Sequence, residues 1–277
     1  QKNKLIIGIS ITALLLLFSV PNNAISDNWA NYFDNSFALM KLIKKIDGNL
    51  SGINYLEYSL QSTAPEGVQN TEYLKQVDAF ANWFKHQQKV VHTYAYPDIL
   101  KNLNQVMHSD QKQWYKIPET SELAAQYLLF YEMSLPEGLG LNNRVDMTQT
   151  RSRLTVSVTS VGSDFLLALD AKAQKWLQQN ATMIQPTEAT GLGMVFAHLA
   201  QRNIISLLKG TLVALLLISL MLVWVLKSFK YGIVSLIPNL IPAVMAYGIW
   251  GLFFGYIDIS LSIIAVSTLG IVVDDTI

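Results

Sequence analysis

The stretch GTLVALLLISLMLVWVL, residues 210–226, is an apolar run without a single charged side chain, and it is closed by Lys227 and Lys230. As an α-helix it would rise about 25 Å, close to the ~30 Å hydrocarbon core of a bilayer. A helical pattern also continues backwards over residues 194–209. The run therefore predicts a transmembrane helix, assigned to residues 204–227, that projects beyond the bilayer into a water-exposed domain.

Apolar residues are concentrated in three further blocks, which explains how 51% of the chain is hydrophobic while only 14% is charged. We assign spans to residues 1–21, 232–257 and 260–277. The third predicted span contains Pro238 and Pro242, which membrane helices tolerate as kinks when neighbouring helices satisfy the freed backbone groups. The first block, with its basic start, is also typical of a signal peptide, but the later spans favour an anchored helix.

Lysine placement predicts the orientation of these spans. Lys2 and Lys4 precede the first span, and Lys227 and Lys230 lie in the short link between the second and third. Positively charged loops stay on the cytoplasmic side. Residues 22–203 are therefore expected to be extracytoplasmic.

The segment between the first two spans has the patterning of a folded α+β domain. Alternating strands and amphipathic helices predict two β-α-β units, with elements at 53–60, 71–88 and 90–96, and at 153–159, 163–179 and 182–187. Two such units suggest a split, ferredoxin-like arrangement. The expected fold is an integral membrane α-helical bundle with an inserted ferredoxin-like α+β domain, which carries further helices near residues 99–108 and 119–134.

The composition argues against an enzyme and against nucleic-acid binding. The formal net charge is zero and cysteine is absent, which excludes a disulfide framework and a thiolate metal site. The four histidines do not have the spacing of metal ligands. The glycines at 191 and 193 form a pattern that is too short to indicate a nucleotide-binding loop. No cofactor or metal is expected.

Two adjacent carboxylates, Asp274 and Asp275, interrupt the last apolar block. A helix from residue 260 to Asp274 rises only about 21 Å, so the pair is expected inside a bilayer about 30 Å thick. Acids at that depth cost at least about 2.5–3.5 kcal/mol each and mark ion or proton pathways. Gly270, one turn earlier, would let a neighbouring helix approach closely. The alternative is that the helix ends just beyond residue 277 and the pair lies in water.

The chain resembles the resistance-nodulation-division (RND) superfamily along almost its whole length. The segments that carry the resemblance are LKSFKYGIVSLIPNLIPAVMAYGIWGLFFG (226–255), STLGIVVDDTI (267–277), YLLFYEMSLPEGLGLNNRVD (127–146) and RSRLTVSV (151–158). They are most similar to the MMPL-type or hydrophobe/amphiphile exporter group, whose membrane part is related to sterol-sensing domains. Taken alone, the glycine–acid segment 270–276 is a short and permissive pattern.

The resemblance implies a proton-driven exporter, a secondary active transporter of the bacterial inner membrane with residues 22–203 in the periplasm. Asp274 and Asp275 match the family's proton-relay acids. Family members carry two repeats of six spans, so we expect this chain, which starts without methionine and stops within an apolar run, to be a piece of one repeat. The implied partners are a hydrophobic or lipid cargo, membrane lipids and the second repeat; a homo-oligomer is left open.

Two other functions were weighed on the same residues. A sterol- or lipid-sensing receptor would use the same scaffold without transport, but a sensor has no need of titratable acids in lipid. An accessory factor of Sec-type protein export also combines a ferredoxin-like external domain with six spans, but the segment SLIPNLIP, residues 235–242, does not resemble it. The residues do not name the cargo, nor do they decide between Asp274 and Asp275.

Overall fold

The computed structural model describes residues 2–136, 140–234 and 236–276. The chain divides into two compact units, which are considered separately. The helical unit comprises Gln1–Trp29, Gly162–Asp164 and Phe196–Ile277, and the α/β unit comprises Ala30–Val161 and Phe165–Val195.

The protein has a mixed α/β structure with small sheets. The strands are β1 (Ala24–Ile25), β2 (Asn54–Gln61), β3 (Val90–Tyr94), β4 (Arg151–Val158) and β5 (Tyr256–Ile257). The helices are α1 (Lys2–Leu17), α2 (Ala38–Asn49), α3 (Thr71–Lys85), α4 (Tyr96–Met107), α5 (Ser121–Ser134), α6 (Ser163–Asn180), α7 (Leu192–Leu226), α8 (Phe229–Val234), α9 (Leu236–Phe253) and α10 (Ile259–Thr276).

The sheet of the α/β unit has the order β2-β4-β3, and both outer strands are antiparallel to β4. The outer strands are therefore parallel to each other, are connected through α3 and have β4 between them, which is a split β-α-β unit. Alternation in β2 and β4 puts one set of side chains into the core, with Leu56 opposite Val156 and Tyr58 opposite Leu154, all of them fully buried. The first predicted β-α-β unit is confirmed.

The predicted strand at residues 182–187 is not formed as a regular strand. Residues near it run along the free edge of β2 and make only isolated antiparallel bridges, Ser62 with Ile184 and Glu57 with Thr190. Pro186 lies between these bridges. Because proline has no backbone N–H, it cannot donate to a ladder at that point. The second β-α-β unit therefore ends in an irregular edge segment.

Aromatic side chains form the core of the α/β unit. The ring of Phe80 lies 5.4 Å from that of Tyr58, 5.0 Å from Phe84 and 5.2 Å from Trp176. These distances and the tilted or stacked geometries are those that aromatic pairs favour. α3 turns Phe80 and Phe84 inward, and both side chains are fully buried.

Within the helical unit, the chain after α1 lies against α9 and the residues that follow it. The Ser19 hydroxyl donates to the backbone oxygens of Leu16 (2.7 Å) and Gly248 (2.8 Å). β1 pairs in parallel with β5, so Ala24 lies opposite Tyr256. A short strand, β5, therefore forms where the third predicted span ends.

Along the described residues, Leu192–Val225 is the helix that is both long and apolar enough to cross a membrane. Shorter apolar helices are Gly8–Asn22, Leu240–Phe253 and Ile259–Thr268. The helix predicted around residues 204–227 thus exists and begins earlier, at Leu192. By itself a single helix of this kind is weak support for a membrane protein, and the other three spans stay predictions.

Helical residues occupy most of the described region where the span over residues 232–257 was predicted. Pro238 lies within the bounds of α9. Pro242 also lies inside α9 and removes a hydrogen bond from its interior.

Candidate functional site

A groove of about 720 Å³ lies between α7 and α10 in the helical unit. Both helices contribute lining residues along several turns. The lining is Asn203, Ser206, Leu207, Gly210, Thr211, Ala214 and Ile218 from α7, and Ile259, Ile263, Val266 and Gly270 from α10.

The groove is mainly apolar, with its polar side chains restricted to one stretch of α7. Among them, the Thr211 hydroxyl donates to the backbone oxygen of Leu207 at 2.8 Å, so its hydrogen is used within the helix. Gly210 and Gly270 both face open space, since a methyl group added at either would meet no atom within 4 Å. The groove is suited to an elongated apolar molecule with one polar end.

Gly270 lines this groove and precedes Asp274, the first of the two predicted acids, by one helical turn. The helix approach predicted at Gly270 has no counterpart among the described residues, and it stays a prediction. Asp274 and Asp275 fall within the bounds of α10, but their side chains lie outside the described part of the chain. Their predicted relay role is therefore untested by the structure.

The closest backbone approach in the helical unit occurs at two other glycines of α9. A Cβ at Gly248 would lie 2.6 Å from both the Cβ and the backbone oxygen of Leu16, and one at Gly251 would lie 2.3 Å from the backbone oxygen of Ser19. The amide of Asn23 donates to the backbone oxygen of Tyr247 at 2.9 Å. The sequence pattern did not indicate this contact, although small residues such as glycine let helix backbones approach closely.

In the α/β unit the buried charged groups are paired in ways that serve folding. The Asp170 carboxylate accepts hydrogen bonds from the Tyr58 hydroxyl (2.9 Å), the Gln174 amide (2.7 Å) and the Ala189 backbone N–H (3.0 Å). Burial and the neighbouring carboxylate raise the pKa of Tyr58 far above its usual range. A phenol held neutral in this way is a structural donor rather than an acid–base catalyst.

Lys101 forms the second buried charge cluster. Its ammonium group lies 2.6 Å from Asp78 and 2.8 Å from Asp98, and its side chain is 8% exposed. Burial opposes the positive charge, but hydrogen bonds and attraction from the two carboxylates outweigh it and raise the pKa of Lys101. The cluster links α3, which carries Asp78, to α4, which carries Asp98 and Lys101.

A polar pocket of about 480 Å³ lies against the outer face of the sheet. Arg153 forms an ion pair with Glu57 at 2.6 Å, and Thr155 also donates to Glu57 at 2.7 Å. The guanidinium of Arg144 stacks 3.8 Å from the ring centre of Tyr94. Since these charges are largely satisfied by one another, the pocket has the character of a polar surface.

The described histidines do not form a metal site, and no group of metal-ligating side chains occurs within the part of the chain that the structure covers. His86 and His108 each place Nδ1 near a backbone oxygen of their own helix, at 2.8 and 2.7 Å. His108 also stacks on Trp114 with ring centres 3.7 Å apart. Both side chains therefore have partners close to them in the sequence.

Comparison with family models and with curated proteins gave no match to this chain.

Proposed function

We propose that the chain is part of an RND-type exporter, a multi-pass protein of the bacterial inner membrane that uses the proton-motive force to export lipids or other hydrophobic or amphiphilic molecules. The helical unit would lie in the membrane, and the α/β unit would be the periplasmic porter domain, ferredoxin-like in its topology. The single observation that carries the proposal is the α7–α10 groove, because it brings a mainly apolar lining and the predicted acid-bearing helix together.

The groove supports the lipid part of the proposal. Its α10 lining ends at Gly270, one helical turn before position 274. An apolar cleft of about 720 Å³ is within the usual size of ligand sites and would suit an acyl chain or another apolar cargo. A cargo lying there would extend toward the acids of the same helix.

Helical periodicity favours Asp274 over Asp275 as the acid on the groove side. At about 100° per residue, position 274 is about 40° from position 270 around the helix, whereas position 275 is about 140° away. We therefore assign the coupling role to Asp274 and expect Asp275 to be directed toward other parts of the protein. A carboxyl group away from water favours its protonated form, which suits a group that takes up and releases protons.

The second candidate function is a lipid- or sterol-sensing receptor that does not transport. The mainly apolar lining of the groove favours it as much as it favours an exporter, because lipid binding needs no titratable group. The two candidates differ in their requirement for the acids.

Proton-dependent export by the natural full-length protein, measured in everted membrane vesicles, tests the proposal. Asp274→Asn should abolish export while the protein still reaches the membrane, and Asp275→Asn should reduce it less. Ser267→Ala, an exposed hydroxyl on the same helix, is the matched control and should export normally. Normal export by both aspartate variants would contradict the relay, whereas absence of export by the natural protein itself would favour the receptor.

A further inference from the structure

We propose that residues 33–50, named here the α2 segment, dock on the surface of an anionic membrane with one helix face in the headgroup region. The proposal rests on the membrane setting of the proposed function, but it concerns a different part of the chain. It assigns a lipid-binding surface to the α/β unit.

The first observation is the distribution of side chains around α2. At about 100° per residue, four of its large apolar residues fall within an arc of about 100°, and its lysines fall in a second arc on the opposite side. The four apolar residues are Leu39, Leu42, Ile43 and Ile46, and the lysines are Lys41, Lys44 and Lys45. Helices of this kind lie in the plane of a membrane interface.

The second observation is that part of the apolar arc is left open: its leucines are exposed, while Ile43 and Ile46 are half-buried. Leu39 is 56% exposed and Leu42 is 53% exposed, and Leu50 just beyond the helix is 77% exposed. Another side of the helix attaches it to the α/β unit, because Met40 is only 3% exposed and Asp47 accepts a hydrogen bond from the backbone N–H of Ser160 at 2.8 Å. The exposed leucines are thus free of the contacts that anchor the helix.

Aromatic residues extend the open surface before the helix begins. Phe33 and Phe37 are 46% and 59% exposed, and their rings lie edge to face with centres 6.4 Å apart. Aromatic side chains are enriched where membranes meet water. Phe33 follows the first predicted span by twelve residues, which cover at most about 43 Å when extended, so the segment can reach the membrane surface.

Charge favours an anionic lipid surface over a protein partner. None of the three lysines forms a salt bridge in the described chain. The nearby acids are already engaged by backbone N–H groups, since Asp34 accepts from Ser36 at 2.8 Å and Asp47 accepts from Ser160. Lysines with long flexible stems can bury their methylenes beside an apolar face while the ammonium groups reach lipid phosphates.

Single-cysteine labelling tests the proposal directly, because the chain contains no cysteine of its own. The full chain carrying Leu42→Cys is labelled with an environment-sensitive fluorophore and reconstituted into phosphatidylglycerol or phosphatidylcholine vesicles. In phosphatidylglycerol the emission should shift to shorter wavelength and be quenched by spin-labelled lipids. Lys172→Cys, an exposed site on α6, is the matched control and should remain in water.

A charge variant sharpens the test. Adding Lys41→Gln to the Leu42→Cys chain should lower the docking equilibrium constant in phosphatidylglycerol about five-fold, which corresponds to the loss of one lysine near an anionic surface. In phosphatidylcholine the same change should have little effect. Leu39→Cys provides a second labelling position if the first variant does not fold.

Two results would overturn the proposal. In the first, the fluorophores at residues 39 and 42 both remain in water. In the second, a fluorophore is shielded from water but is not quenched by spin-labelled lipids, which would indicate a protein partner. Extraction of the membranes with carbonate tests the predicted spans of the proposed function separately from the docking of the α2 segment. A chain extracted by carbonate would refute the predicted spans, and lipid quenching at residue 42 would still support docking. A chain that resists extraction but shows an unquenched label would leave the spans intact and refute docking.

Discussion

The core of the α/β unit and the surface of the helical unit hold large apolar side chains in different environments. In the α/β unit Phe80, Tyr73 and Leu100 are completely buried. In the helical unit Leu217, Trp224 and Phe253 are 63%, 79% and 77% exposed. Since exposed apolar area costs roughly 25 cal/mol per Å² in water, the helical unit would be poorly suited to water and well suited to lipid.

The two units also differ in what brings their elements together. The α/β unit uses ring contacts and buried hydrogen-bonded charges, as around Asp170. The helical unit uses glycine and serine, which allow the backbone of α9 to approach the chain near Leu16 and Ser19. Small residues are typical of helix contacts where no hydrophobic driving force is available. The contrast shows that one chain carries two packing strategies: an aromatic core in the α/β unit and small-residue contacts in the helical unit.

The largest expected effect is in the aromatic core. Phe80→Ala removes a ring that contacts Tyr58, Phe84 and Trp176, and should cost about 3–5 kcal/mol of unfolding free energy. Chemical denaturation followed by tryptophan fluorescence measures it. Phe130→Ala, at a site 58% exposed, is the control and should change stability by less than about 1 kcal/mol.

The next effect concerns the buried charges of the α/β unit. Lys101→Met leaves Asp78 and Asp98 without their shared partner, and because both acids retain some contact with water the cost should be about 2–3 kcal/mol, below that of a fully buried pair. Lys85→Met, on the same helix as Asp78 but bonded only to Asn82, is the control. Equal stability of the Lys101 variant and wild type would show that the cluster is not a structural link.

A smaller effect should distinguish the packing of the helical unit. Gly248→Ala places a methyl group against Leu16 and should destabilise the protein by about 2 kcal/mol. Gly8→Ala, also in a helix but in open space, should instead be neutral or stabilising by up to about 1 kcal/mol. Thermal unfolding in detergent compares the two, and the same sign for both would contradict close packing at Gly248.

The smallest expected loss of unfolding free energy comes from a substitution in the turn before β4. Asp146 accepts hydrogen bonds from the backbone N–H groups of Thr150 (2.8 Å) and Arg151 (2.7 Å). Partial burial opposes its charge, but these bonds and those from Thr148 lower the pKa of Asp146. Asp146→Asn should cost about 1–2 kcal/mol at pH 7.

The sign of the pH dependence follows from that lowered pKa. A depressed carboxyl pKa contributes stability above the ordinary value near 4, and the contribution is lost as the pH falls through the folded-state value. The difference between wild type and Asp146→Asn should therefore shrink in urea unfolding below about pH 4. A difference that does not change with pH would contradict a role for the ionised carboxylate.

Sequence patterns predicted the split β-α-β unit because β2 and β4 bury one face of a sheet, which fixes strict alternation. They did not reveal α2, whose N-cap residue Phe37 provides no side-chain hydrogen bond and so no start signal. The pairing of β1 with β5 was also missed, since two-residue strands carry no periodicity. The strand predicted at residues 182–187 did not form regular pairing with β2, because Pro186 has no backbone N–H to donate.

The candidate site was predictable only on the α10 side. An acid pair at the end of an apolar block is visible in the sequence, because charge is costly there. The opposite wall, formed by α7, depends on which helices are neighbours, and a linear pattern does not contain that information. The glycines of α9 were visible, but the residue each one faces was not.

The central claim, that the helical unit lies in the membrane with the α/β unit on the outside, is tested by cysteine accessibility in intact cells with the outer membrane permeabilised. Lys172→Cys should react with a membrane-impermeant maleimide in these cells. Ser228→Cys, in the link between α7 and α8, should react only after the inner membrane is opened. Labelling of both positions only after inner-membrane lysis, or of Ser228→Cys before it, would contradict the account.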